Sequence, residues 1–154
     1  MRLEEIGFYT MSNYRTRQLS YTSPLWRCEL ILTDKCNFRC PYCRGVKKKF
    51  EGEKTYHEAK NIVDLWIKEG LKNIRFSGGE PTTWKDLLKL VSYSKENGVE
   101  RIAISSNGSA DFSYYEELIM AGVNDFSISL DACCSSFGDK MAGVKGVWNK
   151  ELII

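Results

Sequence analysis

Three segments of the chain share one alternation of apolar and polar residues: 71–77, 99–105 and 123–129. Because successive side chains of a strand point to opposite faces, this two-residue period predicts three short β-strands. Each segment directly follows a glycine, a residue that suits the end of a helix; these are Gly70, Gly98 and Gly122. The repeating unit is therefore a helix, a glycine and a strand.

Helix start signals precede each of these units. Thr55 and Glu58 have the spacing of a capping box and lead into apolar residues at helical spacing, which predicts a helix over residues 56–69. The other two helices are expected to begin at polar residues suited to helix N-termini: Thr83 with Asp86, and Asp111 or Ser113.

An earlier apolar segment, residues 28–33, completes four β/α units. Strands that alternate with helices predict a parallel sheet with right-handed crossovers, whose post-strand loops share one edge. We expect functional residues at that edge, as in β/α barrels.

The fold class predicted by this pattern is α/β, a partial (β/α) barrel of the TIM type with parallel strands. Four strands are too few to close a barrel, and residues 144–151 suggest a further helix that Ile154 cuts short. We therefore expect a chain truncated after the fourth unit. The alternative is a small, complete, open α/β domain, which would leave an unprotected sheet edge.

Composition narrows the class of protein. The chain has 154 residues, 43% of them hydrophobic, and a net charge of +2, which argues against a disordered chain or a dedicated nucleic-acid binder. No apolar run approaches the roughly 20 residues of a membrane span, and the acidic first residues do not resemble a secretory signal. We expect a cytoplasmic protein without a membrane partner. In a reducing compartment its six cysteines favour ligands or buried thiols over disulfides.

Three cysteines crowd the loop after the first strand. Cys36, Cys40 and Cys43 form a C-x3-C-x2-C arrangement. A cubane iron–sulfur cluster normally takes four cysteine ligands, so three would leave one iron open. A structural zinc site completed by His57 or Cys28 is an alternative, as are unligated thiols. Zinc motifs usually pair two ligand halves, and the sequence has no second half.

A second motif follows the second strand, at the same predicted edge. It consists of Gly78, Gly79, Glu80 and Pro81. Glycines let a backbone approach a ligand closely, and Glu80 can accept a charge-assisted hydrogen bond from an ammonium group. Alone, such a tetrad is a weak turn signal; one β/α unit after the cysteine loop, it is a strong one.

In this order the two motifs resemble the signature of the radical S-adenosylmethionine superfamily. Residues 105–108 after the third strand and 129–131 at the fourth are further matches. The resemblance runs from Trp26 to the chain end, so we expect residues 26–154 to form a radical SAM core and residues 1–25 an N-terminal arm. Within the superfamily, the chain looks most like the group with the molybdenum-cofactor biosynthesis enzyme and the peptide-modifying enzymes.

The resemblance implies an enzymatic chemistry. Cys36, Cys40 and Cys43 would hold a [4Fe–4S] cluster whose fourth iron is chelated by S-adenosylmethionine. One electron, supplied by an external reductant such as flavodoxin or ferredoxin, would cleave the cofactor to methionine and a 5′-deoxyadenosyl radical. That radical would abstract hydrogen from an unknown substrate, a small molecule or a peptide. The alternative function is a non-catalytic zinc- or iron–sulfur-binding module.

The resemblance also implies which residues contact the cofactor, and no catalytic residue beyond the cluster and cofactor ligands. Tyr42 would lie near the adenine. The loop after the second strand would bind the methionine ammonium, and serines after the later strands would lie near its carboxylate or ribose. These residues are Gly78, Gly79 and Glu80 for the ammonium, Ser105, Ser106 and Ser129 for the other groups, and Asn107 and Asp131 as weaker candidates.

Two further cysteines, Cys133 and Cys134, follow the fourth strand at the same edge. Two cysteines cannot complete a cluster, and free cysteines often behave as small buried apolar residues. We therefore favour buried thiols without a function; the alternatives are ligands of a second cluster or a part in thiol chemistry.

Overall fold

A computed structural model describes residues 26–43, 45 and 52–148. The N-terminal arm expected over residues 1–25 lies outside the described residues. The division of the chain into an arm and a core therefore stays a prediction.

The described chain contains one parallel sheet with the strand order β1-β2-β3-β4. This confirms the predicted α/β class and the parallel pairing. Leu30 lies opposite Phe76, and Phe76 lies opposite Ile104, so apolar side chains align across neighbouring strands. The strands are β1 (Arg27–Thr33), β2 (Asn73–Gly78), β3 (Arg101–Ser106) and β4 (Asp125–Ile128).

Four helices follow the strands in turn: α1 (Tyr56–Lys68), α2 (Leu87–Glu96), α3 (Phe112–Ala121) and α4 (Ser135–Ala142). The predicted capping box of α1 is present, with hydrogen bonds in both directions between Thr55 and Glu58. Helix α2 begins later than predicted, because Pro81–Thr83 forms a separate 3₁₀ turn and the Thr83 hydroxyl donates to the Glu80 carbonyl at 2.7 Å. Asp86 is instead the residue preceding α2.

Strands β2, β3 and β4 begin two residues later than the apolar pattern predicts. The reason is the same at each one. Leu71, Val99 and Val123 are buried, and each backbone N–H reaches back five residues to a carbonyl in the last turn of the preceding helix, at 2.9–3.1 Å. The preceding glycines have φ of 85–123°. The apolar residue therefore closes the helix C-terminus, as in a Schellman motif, before the strand starts.

The hydrophobic core lies between the sheet and helices α1 to α3. The strands contribute alternate residues, which are almost fully buried: Leu30, Leu32, Ile74, Phe76, Ile102 and Ile104. The helices meet them with Val63, Leu87, Leu90, Val91 and Leu118. The alternate strand residues in between point to the opposite face, where Ile31 is 56% exposed.

The prediction of a helix over residues 144–151 is wrong for residues 144–147. Helix α4 was not predicted. Gly143 ends α4 in the left-handed conformation, with φ 66°. The Asp139 carboxylate then accepts the N–H groups of Gly146, Val147 and Trp148 at 2.6–3.3 Å. Because the carboxylate takes these N–H groups, residues 144–147 form a turn. The part of the predicted helix beyond Trp148 lies outside the described residues.

Across the described ranges, every helix is too short or too polar to cross a lipid bilayer.

Candidate metal and cofactor site

The loops after β1 and β2 lie directly against each other at the carboxyl edge of the sheet. The Gly79 N–H donates to the Thr33 carbonyl and the Glu80 N–H to the Lys35 carbonyl, both at 2.7 Å. A Cβ at Gly79 would lie 2.1 Å from the Lys35 oxygen, and one at Gly78 would lie 2.3 Å from the Thr33 oxygen. These glycines therefore permit contact between two backbones, a requirement that the sequence did not reveal.

We expect Gly79→Ala to lower the free energy of unfolding by about 3 kcal/mol, because a methyl group forced into packed backbone must separate the two loops. Urea unfolding of the chain without iron measures this. Gly45→Ala is the matched control: it belongs to the cysteine loop region, yet its Cβ would lie at an ordinary 3.6 Å from the Cys43 sulfur. Equal stability of the two variants would contradict the proposed loop contact.

The Glu80 side chain is completely buried, and its carboxylate accepts four hydrogen bonds. Oε1 accepts from the N–H and hydroxyl of Thr82, at 3.1 and 2.7 Å, and from the Ser106 hydroxyl at 2.9 Å. Oε2 accepts from the Asn107 N–H at 2.7 Å. Glu80 thus ties the loop after β2 to the loop after β3.

Asn107 joins the three loops of the site. Besides its backbone bond to Glu80, its side-chain amide donates to Asn37 Oδ1 at 2.8 Å and lies 3.8 Å from the Cys36 sulfur. The sequence made Asn107 only a weaker candidate, because a residue after a strand gives no sign of which neighbouring loop it reaches.

The three predicted metal-binding thiols differ in exposure: Cys36 and Cys40 are half-buried, whereas Cys43 is exposed. The N–H of Phe38 donates to the Cys36 sulfur and that of Gly45 to the Cys43 sulfur, both at 3.4 Å. Burial raises the pKa of Cys36 above its ordinary value. The Phe38 N–H opposes this shift, and the negative charges of Glu80 and the other two cysteines add to it.

The donor set is chemically suited to an iron–sulfur cluster, because cysteine thiolates are the usual ligands of such clusters. Among the residues that the structure describes, no three His, Cys, Asp or Glu side chains stand close enough together to hold one ion. A cubane spaces its ligands more widely, because each cysteine binds a different iron. Cys36 nevertheless interacts electrostatically with both Cys40 and Cys43, and N–H donors to sulfur are among the features that set a cluster's potential.

The segment between β4 and the end of α4 also contacts the cysteine loop. The Arg39 N–H donates to the Ala142 carbonyl at 2.7 Å, and the Cys40 thiol lies 3.9 Å from the same oxygen. The Tyr42 hydroxyl donates to Asp131. Partial burial, and then this hydrogen bond, raise the pKa of Tyr42 well above its ordinary value. The contact between Arg39 and Ala142 could not be predicted, because α4, which contains Ala142, has no strong start signal in the sequence.

A cleft opens between the cysteine loop and this segment. Tyr42, Asn107, Ser129 and Asp131 line it together, and Cys40 borders it. The other residues along the cleft include Phe38, Met141 and Trp148. Ser129 is exposed, and its N–H donates to the Ser106 carbonyl at 2.9 Å. Four of the residues implied by the resemblance therefore share one cleft: Tyr42, Asn107, Ser129 and Asp131.

The serines at the end of β3 lie on opposite faces of the sheet. Ser106 is buried; its hydroxyl bonds to Glu80, pairs with the Tyr115 hydroxyl at 2.9 Å and accepts the Gly108 N–H at 3.1 Å. Ser105 lies on the face of the sheet opposite the core helices, where its hydroxyl oxygen accepts a hydrogen bond from Arg75 Nη1 at 3.0 Å. Within the described residues Arg75 Nε is buried without a hydrogen-bond partner.

Comparison with known proteins agrees with this architecture. The family model of the Radical SAM superfamily matches residues 30–150. The chain belongs to the Radical SAM superfamily. Within this superfamily, it is 36% identical over 124 residues to the Fe-coproporphyrin III synthase of Methanosarcina barkeri, covering 79% of this chain and 31% of that protein. It is 34% identical over 120 residues to the GTP 3′,8-cyclase of Staphylococcus carnosus, covering 71% of this chain and 35% of that one.

Solved structures share the fold of this radical SAM chain. Streptococcus suis SuiB bound to S-adenosylmethionine matches with a TM-score of 0.68 and 21% identity, covering 80% of this chain and 29% of SuiB. BtrN in an open conformation matches with a TM-score of 0.61 and 22% identity, covering 73% of this chain and 53% of BtrN. At these identities the likeness concerns the fold alone.

The comparisons confirm three expectations at the level of the family. Radical SAM relatives are enzymes, and the family's cofactors are a [4Fe–4S] cluster and S-adenosylmethionine. The fold matches that of radical SAM enzymes with TIM-type barrels. The chain spans about a third of the length of the curated relatives that it matches.

Proposed function

We propose that this chain is the cofactor-binding part of a radical SAM enzyme. The observation that carries this proposal is the direct contact between the three-cysteine loop and the Gly-Gly-Glu-Pro loop, with Asn107 bonded to both. Family membership supplies the chemical context. In this proposal Cys36, Cys40 and Cys43 hold a [4Fe–4S] cluster, and S-adenosylmethionine occupies its open iron.

When bound, the cluster and S-adenosylmethionine would supply radical chemistry that removes a hydrogen atom from the substrate. The protein's residues bind and orient these groups. Tyr42 and Ser129 border the cleft next to Cys40, which supports the predicted contacts with the adenine and with the methionine carboxylate or ribose. Ser105 faces the open side of the sheet and is available to the same groups.

We infer that the loop after β2 binds the methionine ammonium through Gly78 and Gly79, both of which are exposed. Glu80 and Ser106 are buried and bonded within the protein. Their contribution to cofactor binding is to hold the loops after β2 and β3 in place. In this proposal the backbone carbonyl oxygens of the exposed glycines accept hydrogen bonds from the ammonium.

The proposal also covers the protein's partners and its location in the cell. We propose an external one-electron reductant such as flavodoxin or ferredoxin, a cytoplasmic location, and a small molecule or peptide as substrate. A peptide is supported by the fold likeness to SuiB, one structure of which is bound to its precursor peptide SuiA. A small molecule is supported by the sequence likeness to GTP 3′,8-cyclases.

The experiment is anaerobic reconstitution followed by turnover. After incubation with iron and sulfide, we expect about four of each per chain, as a cubane requires. Addition of dithionite and S-adenosylmethionine is then expected to yield 5′-deoxyadenosine, measured by chromatography. Omission of dithionite is the control. One zinc ion per chain without 5′-deoxyadenosine would instead favour the non-catalytic zinc module.

A further inference from the structure

Cys133 and Cys134 form a pair of exposed thiols between β4 and α4. The expectation that they are buried is therefore wrong. Asp131 and Ala132, which directly precede them, border the cleft beside the cysteine loop. The two sulfur atoms lie 3.8 Å apart, with the Cys133 thiol donating to the Cys134 sulfur.

The surroundings of Cys134 favour the thiolate form of its side chain. Cys134 precedes the first residue of α4, and the Phe137 N–H at that helix end donates to the Cys134 carbonyl at 3.2 Å. The Phe137 N–H lowers the pKa of the Cys134 thiol, with further contributions from the Ser136 hydroxyl and from Cys133. The thiolate is the reactive form of a cysteine.

We propose that Cys133 and Cys134 form a thiol–disulfide exchange site for small-molecule disulfides such as oxidised glutathione. The Cys134 sulfur attacks one sulfur of the disulfide, forming a mixed disulfide and releasing one molecule of thiol. The Cys133 sulfur, 3.8 Å away, then attacks Cys134, loses its proton and releases the second thiol. The two cysteines are oxidised by two electrons to a Cys133–Cys134 disulfide, and the small disulfide is reduced to two thiols.

Backbone geometry makes this modification reversible. The Cα atoms of adjacent residues are about 3.8 Å apart across a trans peptide, whereas disulfides usually join Cα atoms about 4.4–6.8 Å apart. A disulfide between neighbours is therefore strained, and strained, exposed disulfides are more easily reduced. A low-pKa, accessible thiol beside a second thiol is the arrangement typical of redox-sensitive cysteines.

The site does not depend on the proposed cluster. Its two thiols follow β4, whereas the three cysteines of the cluster motif follow β1. The chain also offers a clean readout, because residues 102–140 contain no Lys or Arg before Lys140 and no cysteine other than this pair. Trypsin therefore releases both thiols on one peptide, separate from every other cysteine.

The test uses the iron-free chain, treated anaerobically with oxidised glutathione, then alkylated, digested and analysed by mass spectrometry. We expect the 102–140 peptide of the unaltered chain to lose two hydrogens and to regain them with dithiothreitol. In Cys133→Ser, the same peptide is expected to retain one glutathione on Cys134. In Cys134→Ser, addition to Cys133 is expected to be several-fold slower, because the Phe137 N–H and the Ser136 hydroxyl act on the thiol at position 134 and not on Cys133.

Two results would overturn this inference. One is a 102–140 peptide that keeps both thiols while the disulfide reacts elsewhere. The other is equal rates of glutathione addition in the two serine variants, which would mean that the helix end does not activate Cys134. Neither result bears on the radical SAM chemistry, since the experiment involves neither iron nor S-adenosylmethionine.

Discussion

Replacing Cys40 with alanine is expected to reduce bound iron and sulfide from about four each per chain to near zero. A cubane held by three protein ligands has none to spare, so loss of one thiolate leaves two irons without a protein ligand. The fold should survive, because the Cys40 thiol is only half-buried and its contact with the Ala142 carbonyl is long, at 3.9 Å. Iron and sulfide assays after anaerobic reconstitution and desalting measure the effect, and circular dichroism checks the fold.

Cys133→Ser is the matched control for this experiment. It also removes a cysteine at the carboxyl edge of the sheet, but one that follows β4 rather than β1. We expect it to bind iron and sulfide as the unaltered chain does. If Cys40→Ala retained a full cluster, the assignment of the three ligands would be wrong. If Cys133→Ser lost the cluster, the pair after β4 would have to be included among the ligands.

Replacing Glu80 with alanine is expected to lower the free energy of unfolding by about 3 kcal/mol. Four donors from Thr82, Ser106 and Asn107 lose their acceptor, and each buried polar group without a partner costs about 1–3 kcal/mol. Urea unfolding of the iron-free chain measures the change. A loss below about 1 kcal/mol would contradict the buried network as a major contribution to stability.

Glu80→Gln separates the structural role of this residue from direct cofactor binding. The amide keeps the shape of the carboxylate and one acceptor oxygen. The hydroxyls of Thr82 and Ser106 can rotate to accept from an amide nitrogen, but a backbone N–H cannot, so one of two N–H groups is left unpaired. We therefore expect a smaller loss, about 1–3 kcal/mol.

The affinity of this folded glutamine variant for S-adenosylmethionine distinguishes the two roles. We expect it to remain close to that of the unaltered reconstituted chain, because backbone atoms of the glycines bind the ammonium in our proposal. Binding is measured by equilibrium dialysis with the labelled cofactor. A decrease of tenfold or more, about 1.4 kcal/mol, would instead indicate that the Glu80 carboxylate contacts the ammonium directly.

The sequence predicted the secondary structure well where local signals agree. The capping box at Thr55 and the glycines that end α1 and α3 have purely local causes, so the helices they bound were predicted to within about a residue. The strand starts were placed two residues early because Leu71, Val99 and Val123 are apolar for a different reason: they close helix ends. Alternation alone does not distinguish these two uses of a buried residue.

The prediction of the site was less complete. The C-x3-C-x2-C and Gly-Gly-Glu-Pro motifs indicated two loops that the structure brings into contact, since parallel strands bring their following loops to one edge. The burial of Glu80, the links made by Asn107 and the contact of Ala142 with Arg39 could not be predicted. Each depends on a partner between 27 and 103 residues away along the chain.

The sequence by itself determined the order of the four strands and of helices α1 to α3, the edge at which the two motifs meet and the family that they resemble. The element order and the shared edge follow from periodicity and glycines, which act over a few residues, whereas the family follows from the resemblance of the two motifs to its signature and is confirmed by the family model. The tertiary structure alone decided that the two glycines serve backbone contact, that Glu80 is an internal acceptor and that Cys133 and Cys134 are exposed. Burial and hydrogen-bond pairing are properties of packed segments, and no local pattern specifies which segments pack together.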